Sequence, residues 1–322
     1  MLSLIAYEPK SGAKQVEDLT SISDLLSSPD TILWLDALDP SKQELALLAE
    51  EFGLHPLAME TYLSPHPRPR VDEYGEYIFL AAHTVGYNPD DLEVRLLELD
   101  LFVGKRYIVT LHKDELSFLS MITKRWMTNQ ELFAEGTGML LYDVLDSLVD
   151  SYFPVLDEMN IRLDEIEDQI FEKGAEAPIT QIFHLKRGLV LMRQVAAPLR
   201  DAVNTLIRRD QTLLSQRDIT YLRDVYDHTL RIVDVLDTYR DILTSALDAY
   251  LTVISNQQNV VMKQLTVAAT VLMSVGLIAG IYGMNFVVMP EIHWRFGYPY
   301  ALGLMAVVSG VLLYYFKRVK WL

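Results

Sequence analysis

Asp227, Asp234, Asp241 and Asp248 recur at every seventh residue, so on a supercoiled helix they share one face. Carboxylates stacked along a face gather cations. The same phase runs on through Ser255 and Met262 to Ala269, Gly276 and Gly283, and the three-four steps between add Thr266, Met273 and Gly280. There the acidic stripe gives way to small or flexible residues, while Val267, Leu272, Leu277 and Ile278 point elsewhere. A seam of small residues lets helices pack closely without any pore. That alternative accounts for the glycines but not for an acidic stripe in register below them. Helices bundled with this face inward would make a carboxylate-lined funnel leading into a narrow tube, the plan of a cation pore.

Other chemistries find less support. The chain has no cysteine, so neither disulfides nor thiolate metal sites are possible. Its seven histidines, at 55, 66, 83, 112, 184, 228 and 293, show no close pair of metal-ligand type. There is no phosphate-binding loop of the P-loop kind and no nucleophile elbow. Gly136-Thr137-Gly138 ahead of a helix reads as a turn. An enzyme is therefore not expected. The formal charge of −16 argues against nucleic acid, whose phosphates need a basic face. An acidic run (Asp157, Glu158, Asp164, Glu165, Glu167, Asp168, Glu172) reads as a solvated face.

The elements that must position the stripe follow from periodicity. No charged residue occurs from Gln264 to Pro290 or from Phe296 to Phe316. Each window holds an apolar run of about twenty residues, enough to cross a bilayer: a first span at 265–284 and a second at 298–316, joined by a loop at 285–297. Lys263 lies before the first span, and Lys317, Arg318 and Lys320 follow the second, in a basic tail at 317–322. The loop carries only Arg295, opposed by Glu291. By the positive-inside rule both termini are cytoplasmic, in a multi-pass protein of the cell (inner or plasma) membrane. The N-terminus lacks a basic n-region and is not a signal peptide.

Neither Pro nor Gly occurs from Leu199 to Val275. A stalk helix at 199–264 is expected, with the polar segment Arg208–Asp218 as an interruption and one rod from about Ile219 to Tyr282. Ile219, Leu222, Tyr226, Leu230, Val233, Leu236, Leu243, Leu247, Tyr250 and Ile254 form its seam, with Arg240 as a polar intruder. Such a rod implies self-association. Residues 138–198 read as an acidic antiparallel helical hairpin, one helix through Met139–Phe171 and a second over Thr180–Ala197 ending near Pro198. Residues 1–130 read as an α/β/α layered domain with strands at Leu2–Tyr7, Thr31–Leu35, Tyr77–Val85, Leu96–Val103 and Tyr107–Leu111. Gly104-Lys105 is read as a hairpin turn. Asp39 is placed as a helix cap before Pro40, with Gly53 ending that helix, and a second helix starts at His55-Pro56. The stretch Ser64–Pro69 is a loop. The fold class is α+β.

At Tyr282-Gly283-Met284-Asn285, ending the first of two C-terminal spans, the sequence resembles the CorA family of magnesium channels. The resemblance extends through Met289-Pro290-Glu291, Gly297-Tyr298-Pro299, Tyr315-Phe316-Lys317-Arg318, Val261-Met262-Lys263 and Arg223-Asp224-Val225-Tyr226-Asp227-His228. It is weaker at Gly53-Leu54-His55-Pro56-Leu57 and Arg68-Pro69-Arg70-Val71. It implies a funnel-shaped homopentamer in a lipid bilayer, with Mg2+ both transported and regulatory and no organic cofactor. Gly283, Met284 and Asn285 would form the selectivity ring. Met262 and Leu265 match the hydrophobic constriction, and the pore and gate include Asp248, Asn259, Ala269, Met273, Gly276 and Gly280. Glu291 would recruit cations outside. Asp224 matches the regulatory carboxylate, with Glu60 and Asp227 as candidate companions, and Lys317 and Lys320 match a basic ring.

Two places depart from the family pattern. The partner carboxylate falls at Thr61, and Met273 is followed by Ser274-Val275-Gly276 where Pro-Leu-Thr is common. Losing that proline removes a kink, and losing the threonine removes a pore hydroxyl. The expected function is divalent cation influx, of magnesium first, with cobalt and nickel as further candidate ions. A zinc or other transition-metal transporter of the same fold and a non-transporting membrane scaffold are the alternatives.

Overall fold

The computed structural model describes the chain except for residues 17–21, 65–67, 89–92, 174–178, 209–212, 287–288, 290–293 and 322. The chain divides into two compact units, Met1–Glu167 with Pro178–Ser245, and Asp168–Ala177 with Ala246–Leu322.

The first unit is built on a sheet with strands β1 (Leu2–Glu8), β2 (Gly12–Val16), β3 (Ile32–Leu38), β4 (Arg70–Glu73), β5 (Tyr77–Asn88), β6 (Glu93–Gly104) and β7 (Tyr107–His112). Their order is β2-β1-β3-β7-β6-β5-β4. Only β3 and β7 pair in parallel; the other neighbours are antiparallel. All five strands expected from apolar alternation are present. The two further strands, β2 and β4, are short, half-exposed edge strands, which lack the alternation that betrays a strand. Gly104 does close the β6–β7 turn: a side chain there would collide with the Tyr107 ring.

Helices α1 (Ile22–Ser27), α2 (Lys42–Glu51) and α3 (Pro56–Leu63) cover one face. Ile22, Leu45, Leu48, Ala58, Met59 and Tyr62 pack there on Leu35, Ala37, Phe79, Phe102 and Leu111. After α4 (Ser117–Thr128) and the short α5 (Glu131–Ala134) come α6 (Thr137–Asp150), α7 (Tyr152–Lys173) and α8 (Ile179–Arg208), of which α6 and α8 lie against the sheet strands.

Several local expectations need correction. Ser41, not Asp39, caps α2: its hydroxyl accepts from the Glu44 N–H while the Glu44 carboxylate accepts from the Ser41 N–H. Asp39 instead takes a left-handed conformation at φ 45°, which a short polar side chain tolerates, and its N–H bonds the His112 carbonyl. His55 and Pro56 do open α3 as expected. The single helix expected over Met139–Phe171 is two, separated at Ser151. Pro154 just beyond has no N–H to continue the ladder. The second hairpin helix does not end at Pro198 but passes through it to Arg208. Leu199, Val203 and Leu206 continue the buried face, and their burial outweighs the lost hydrogen bond. The stalk therefore starts at Gln216 rather than Leu199.

Helix α9 (Gln216–Tyr282) runs without interruption from the first unit into the second. Its buried stripe in the first unit is Leu222, Val225, Thr229, Ile232, Val233, Leu236 and Leu243. Tyr226 and Leu230 of the expected seam are only half-buried. Arg240 is not within the seam at all, being exposed and paired with Asp237 and Asp241. In the second unit, the rest of α9 and α10 (Gly297–Arg318) are both long and apolar enough to cross a membrane. Only 6% and 11% of their most apolar windows are buried. Apolar surface on that scale is stable in lipid or against further protein.

Candidate ion path and cation cluster

The acidic stripe and the small-residue stripe lie on one unbroken helix. Asp227, Asp234, Asp241 and Asp248 are all exposed on α9. Asp227, Asp234 and Asp248 have no ion-pair partner among the described residues. Farther along, Asn259, Met262, Leu265, Ala269, Met273, Gly276 and Gly280 are exposed as well, Met273 to 74%. The hydroxyls of Thr266, Thr270 and Ser274 each donate to the carbonyl four residues back. Serine at 274 is thus satisfied within its own helix, and the helix continues through Ser274-Val275-Gly276.

The helix ends at Tyr282. The Gly283 N–H still reaches the Ala279 carbonyl at 2.9 Å and the Met284 N–H the Ile281 carbonyl at 3.2 Å. Gly283, Met284 and Asn285 are exposed, and the Asn285 amide has no hydrogen-bond partner among the described residues. A neutral amide so placed can both donate and accept. Glu291 lies outside the described residues. Lys317 and Lys320 are exposed at the far end of α10.

A second group lies in the first unit, between α6 and the early part of α9. Asp146 and Asp150 stand one turn apart on α6, as Asp224 and His228 do on α9. Ligand atoms of Asp146, Asp150 and His228 lie within 4.8 Å of one another. His228 Nδ1 is 3.5 Å from Asp146 Oδ1, and its Nε2 is 3.9 Å from Asp224 Oδ1. Among the described residues neither Asp146 Oδ1 nor His228 Nδ1 has a hydrogen-bond partner, although both atoms are buried. Burial, and then repulsion from Asp150, raises the Asp146 pKa. Tyr142 alongside is pushed up to about 12 by burial and then by Asp146. A cation arriving here would relieve both burdens on Asp146.

The local fold explains the approach. Tyr142 and Tyr221 rings meet at 5.0 Å across the two helices. At the start of α9, Ser215 and Asp218 exchange hydrogen bonds as a reciprocal cap. The Asp218 carboxylate nests against Gly138, where any side chain would collide with it. From the sequence, His228 enters as part of a family motif and not as a metal ligand, and Asp146 and Asp150 are not singled out. The signal was the paired i, i+4 spacing, but only folding shows that the two pairs face each other.

Residues 29–318 match the family of CorA-like Mg2+ transporter proteins. The chain belongs to that family. The cobalt/magnesium transport protein CorA of Thermotoga maritima is 36% identical over 276 residues, covering 85% of this chain and 79% of its own. The CorA of Methanocaldococcus jannaschii is 27% identical over 293 residues, covering 90% of this chain and 92% of its own. The complete structure of the CorA magnesium transporter from that organism superposes with a TM-score of 0.84 at 26% identity, over 99% of this chain and 98% of that one. The α+β domain, long stalk helix and two apolar C-terminal helices are thus a CorA fold. CorA proteins are membrane transporters, not enzymes.

Within the CorA frame, Thr61 becomes informative. Its hydroxyl donates to the Leu57 carbonyl at 3.0 Å and accepts from Arg70 Nη2 at 2.6 Å. Arg70 also pairs with Asp72 at 3.1 Å. A hydroxyl already committed to a guanidinium is a poor ligand for a divalent ion, and the guanidinium repels one. Glu60 is exposed on the rim of the same groove. Asp224 and Asp227 lie on α9, and of these Asp224 approaches the His228 cluster.

Proposed function

We propose that this chain is a divalent cation channel that carries hydrated magnesium into the cell. Its copies assemble as a homopentamer with α9 around the axis and both termini in the cytoplasm. The observation that carries this reading is the unbroken α9: one helix joins an exposed carboxylate stripe to an apolar span that ends on an exposed, unbonded Asn285. Carboxylates along the stalk raise the local cation concentration. Met262 and Leu265 form a dry neck that stops hydrated ions until the helices part. Magnesium sheds water reluctantly. A neutral ring of Asn285 amides with Gly283 and Met284 carbonyls therefore suits an ion held through its waters, where a carboxylate ring would hold it too tightly for release.

Gating in this proposal is by the cation itself. The Asp146, Asp150 and His228 group, with Asp224 beside it, takes the regulatory role; the Thr61 position, with Arg70 bonded to it, does not. Two carboxylates and their neighbour satisfy a hard cation, and the imidazole extends the site to cobalt, nickel or zinc. That imidazole is the one observation favouring transition metals, as regulators. The spans contain no Cys, His or carboxylate to bind such ions tightly. Uptake of magnesium, cobalt, nickel and zinc into proteoliposomes tests the ion assignment. Magnesium and cobalt should enter, and uptake of zinc alone would replace the reading with a zinc transporter.

A further inference from the structure

The end of α10 is built as a charged anchor. Helix α10 closes with two nested backbone bonds, the Trp321 N–H to the Phe316 carbonyl at 3.0 Å and the Lys320 N–H to the Lys317 carbonyl at 3.2 Å. This is a Schellman stop, and its left-handed residue is Lys320 at φ 58°. Glycine is the usual occupant of that position because a side chain there is strained. A lysine in its place keeps a charge. The apolar contact that accompanies such a stop is also present, with the Trp321 and Phe316 rings 5.6 Å apart at an interplanar angle of 23°. Tyr315 packs on Phe316 in turn.

Three cations result within four residues. Lys317, Arg318 and Lys320 are exposed, and none has an acidic partner among the described residues. The Schellman bonds also consume the Phe316 and Lys317 carbonyls, which would otherwise repel an anion at the helix end. Aromatic rings of this kind settle at the headgroup level of a bilayer. In a bilayer they would hold the three charges at the level of the phosphates.

We infer that Lys317, Arg318, Lys320 and Trp321 form a binding site for the headgroup of an anionic phospholipid. The inference rests on α10 crossing a membrane. Basic residues just outside a span are attracted to anionic lipid, and the attraction falls within a Debye length. A zwitterionic headgroup offers its phosphate together with a cation and gains much less.

The test uses the full-length protein with Trp294→Phe. Trp34 and Trp126 are buried within the first unit, so Trp321 becomes the tryptophan open to lipid. The protein is placed in bilayers of phosphatidylcholine with a minority of phosphatidylglycerol, and only one of the two lipids carries brominated chains. Labelled phosphatidylglycerol should quench Trp321 about two-fold or more beyond its mole fraction. The excess should vanish in the Lys317→Gln, Arg318→Gln, Lys320→Gln variant and shrink in high salt. Lys320→Gly alone preserves the turn and should still lower the excess; no change would remove Lys320 from the site. Quenching in simple proportion to mole fraction would overturn the inference. Displacement of the labelled lipid by inorganic phosphate at matched ionic strength would make this a soluble-anion site and overturn it too. No quenching by either labelled lipid would instead remove the end of α10 from the membrane and fail the span assignment with it.

Discussion

Asp100 is a carboxylate held where its charge is costly. It is fully buried on β6, with neither carboxylate oxygen hydrogen-bonded among the described residues. Burial, and then Glu98, raises its pKa well above 3.8. Below the unfolded value both states are protonated, so nothing is lost; as pH rises through the unfolded value, the folded state increasingly resists ionisation and stability falls. Asp100→Asn should therefore raise the thermal midpoint at neutral pH, with the gain shrinking toward pH 4. Equal gains at both pH values, read by thermal melts, would contradict this. Asp146 gives a second residue-scale prediction. Its pKa is raised, so divalent ions compete with protons at a higher pH than an ordinary carboxylate would require. Thermal stabilisation by magnesium or cobalt should fade on acidification at a higher pH than an ordinary carboxylate would set, and should weaken in Asp146→Asn and Asp150→Asn. Stabilisation indifferent to both substitutions would remove the cluster from regulation.

At the scale of elements, two substitutions separate packing from propensity. Gly138→Ala places a methyl against the Asp218 carboxylate and should cost about 1–3 kcal/mol. It should loosen the α6–α9 approach and weaken the cation response along with stability. Pro198→Ala restores a backbone donor inside α8 and should stabilise the fold by about 1 kcal/mol or more. Chemical denaturation measures both. These positions also mark how far the chain could be read in advance. The five core strands, the α9 rod and the two spans were legible because their burial imposes a strict period on the sequence. Ser41 was missed as a cap because Asp39-Pro40 presents the same local signal, and only the Asp39 tie to His112 selects between them. Pro198 misled for a related reason: a breaker is overridden when the helix beyond it has a core to enter. Asp146, Asp150 and His228 were invisible as a group because their proximity is tertiary, although each pair sits at helical spacing.

For the whole molecule, the family assignment and the apolar, exposed windows of α9 and α10 make this a two-span membrane transporter. The pattern that separates it from a passive anchor is the continuity of α9, whose phase carries carboxylates and then small residues up to its end at Tyr282, three residues before Asn285. That phase was readable from the first aspartate to the last glycine, because a heptad repeat needs no knowledge of neighbouring elements. The proposal stands or falls on Asn285. The most direct test is magnesium flux into proteoliposomes, comparing wild type with Asn285→Ala at matched assembly state. Flux lost in the variant with assembly intact is the predicted result. Magnesium flux indifferent to Asn285 would contradict the account.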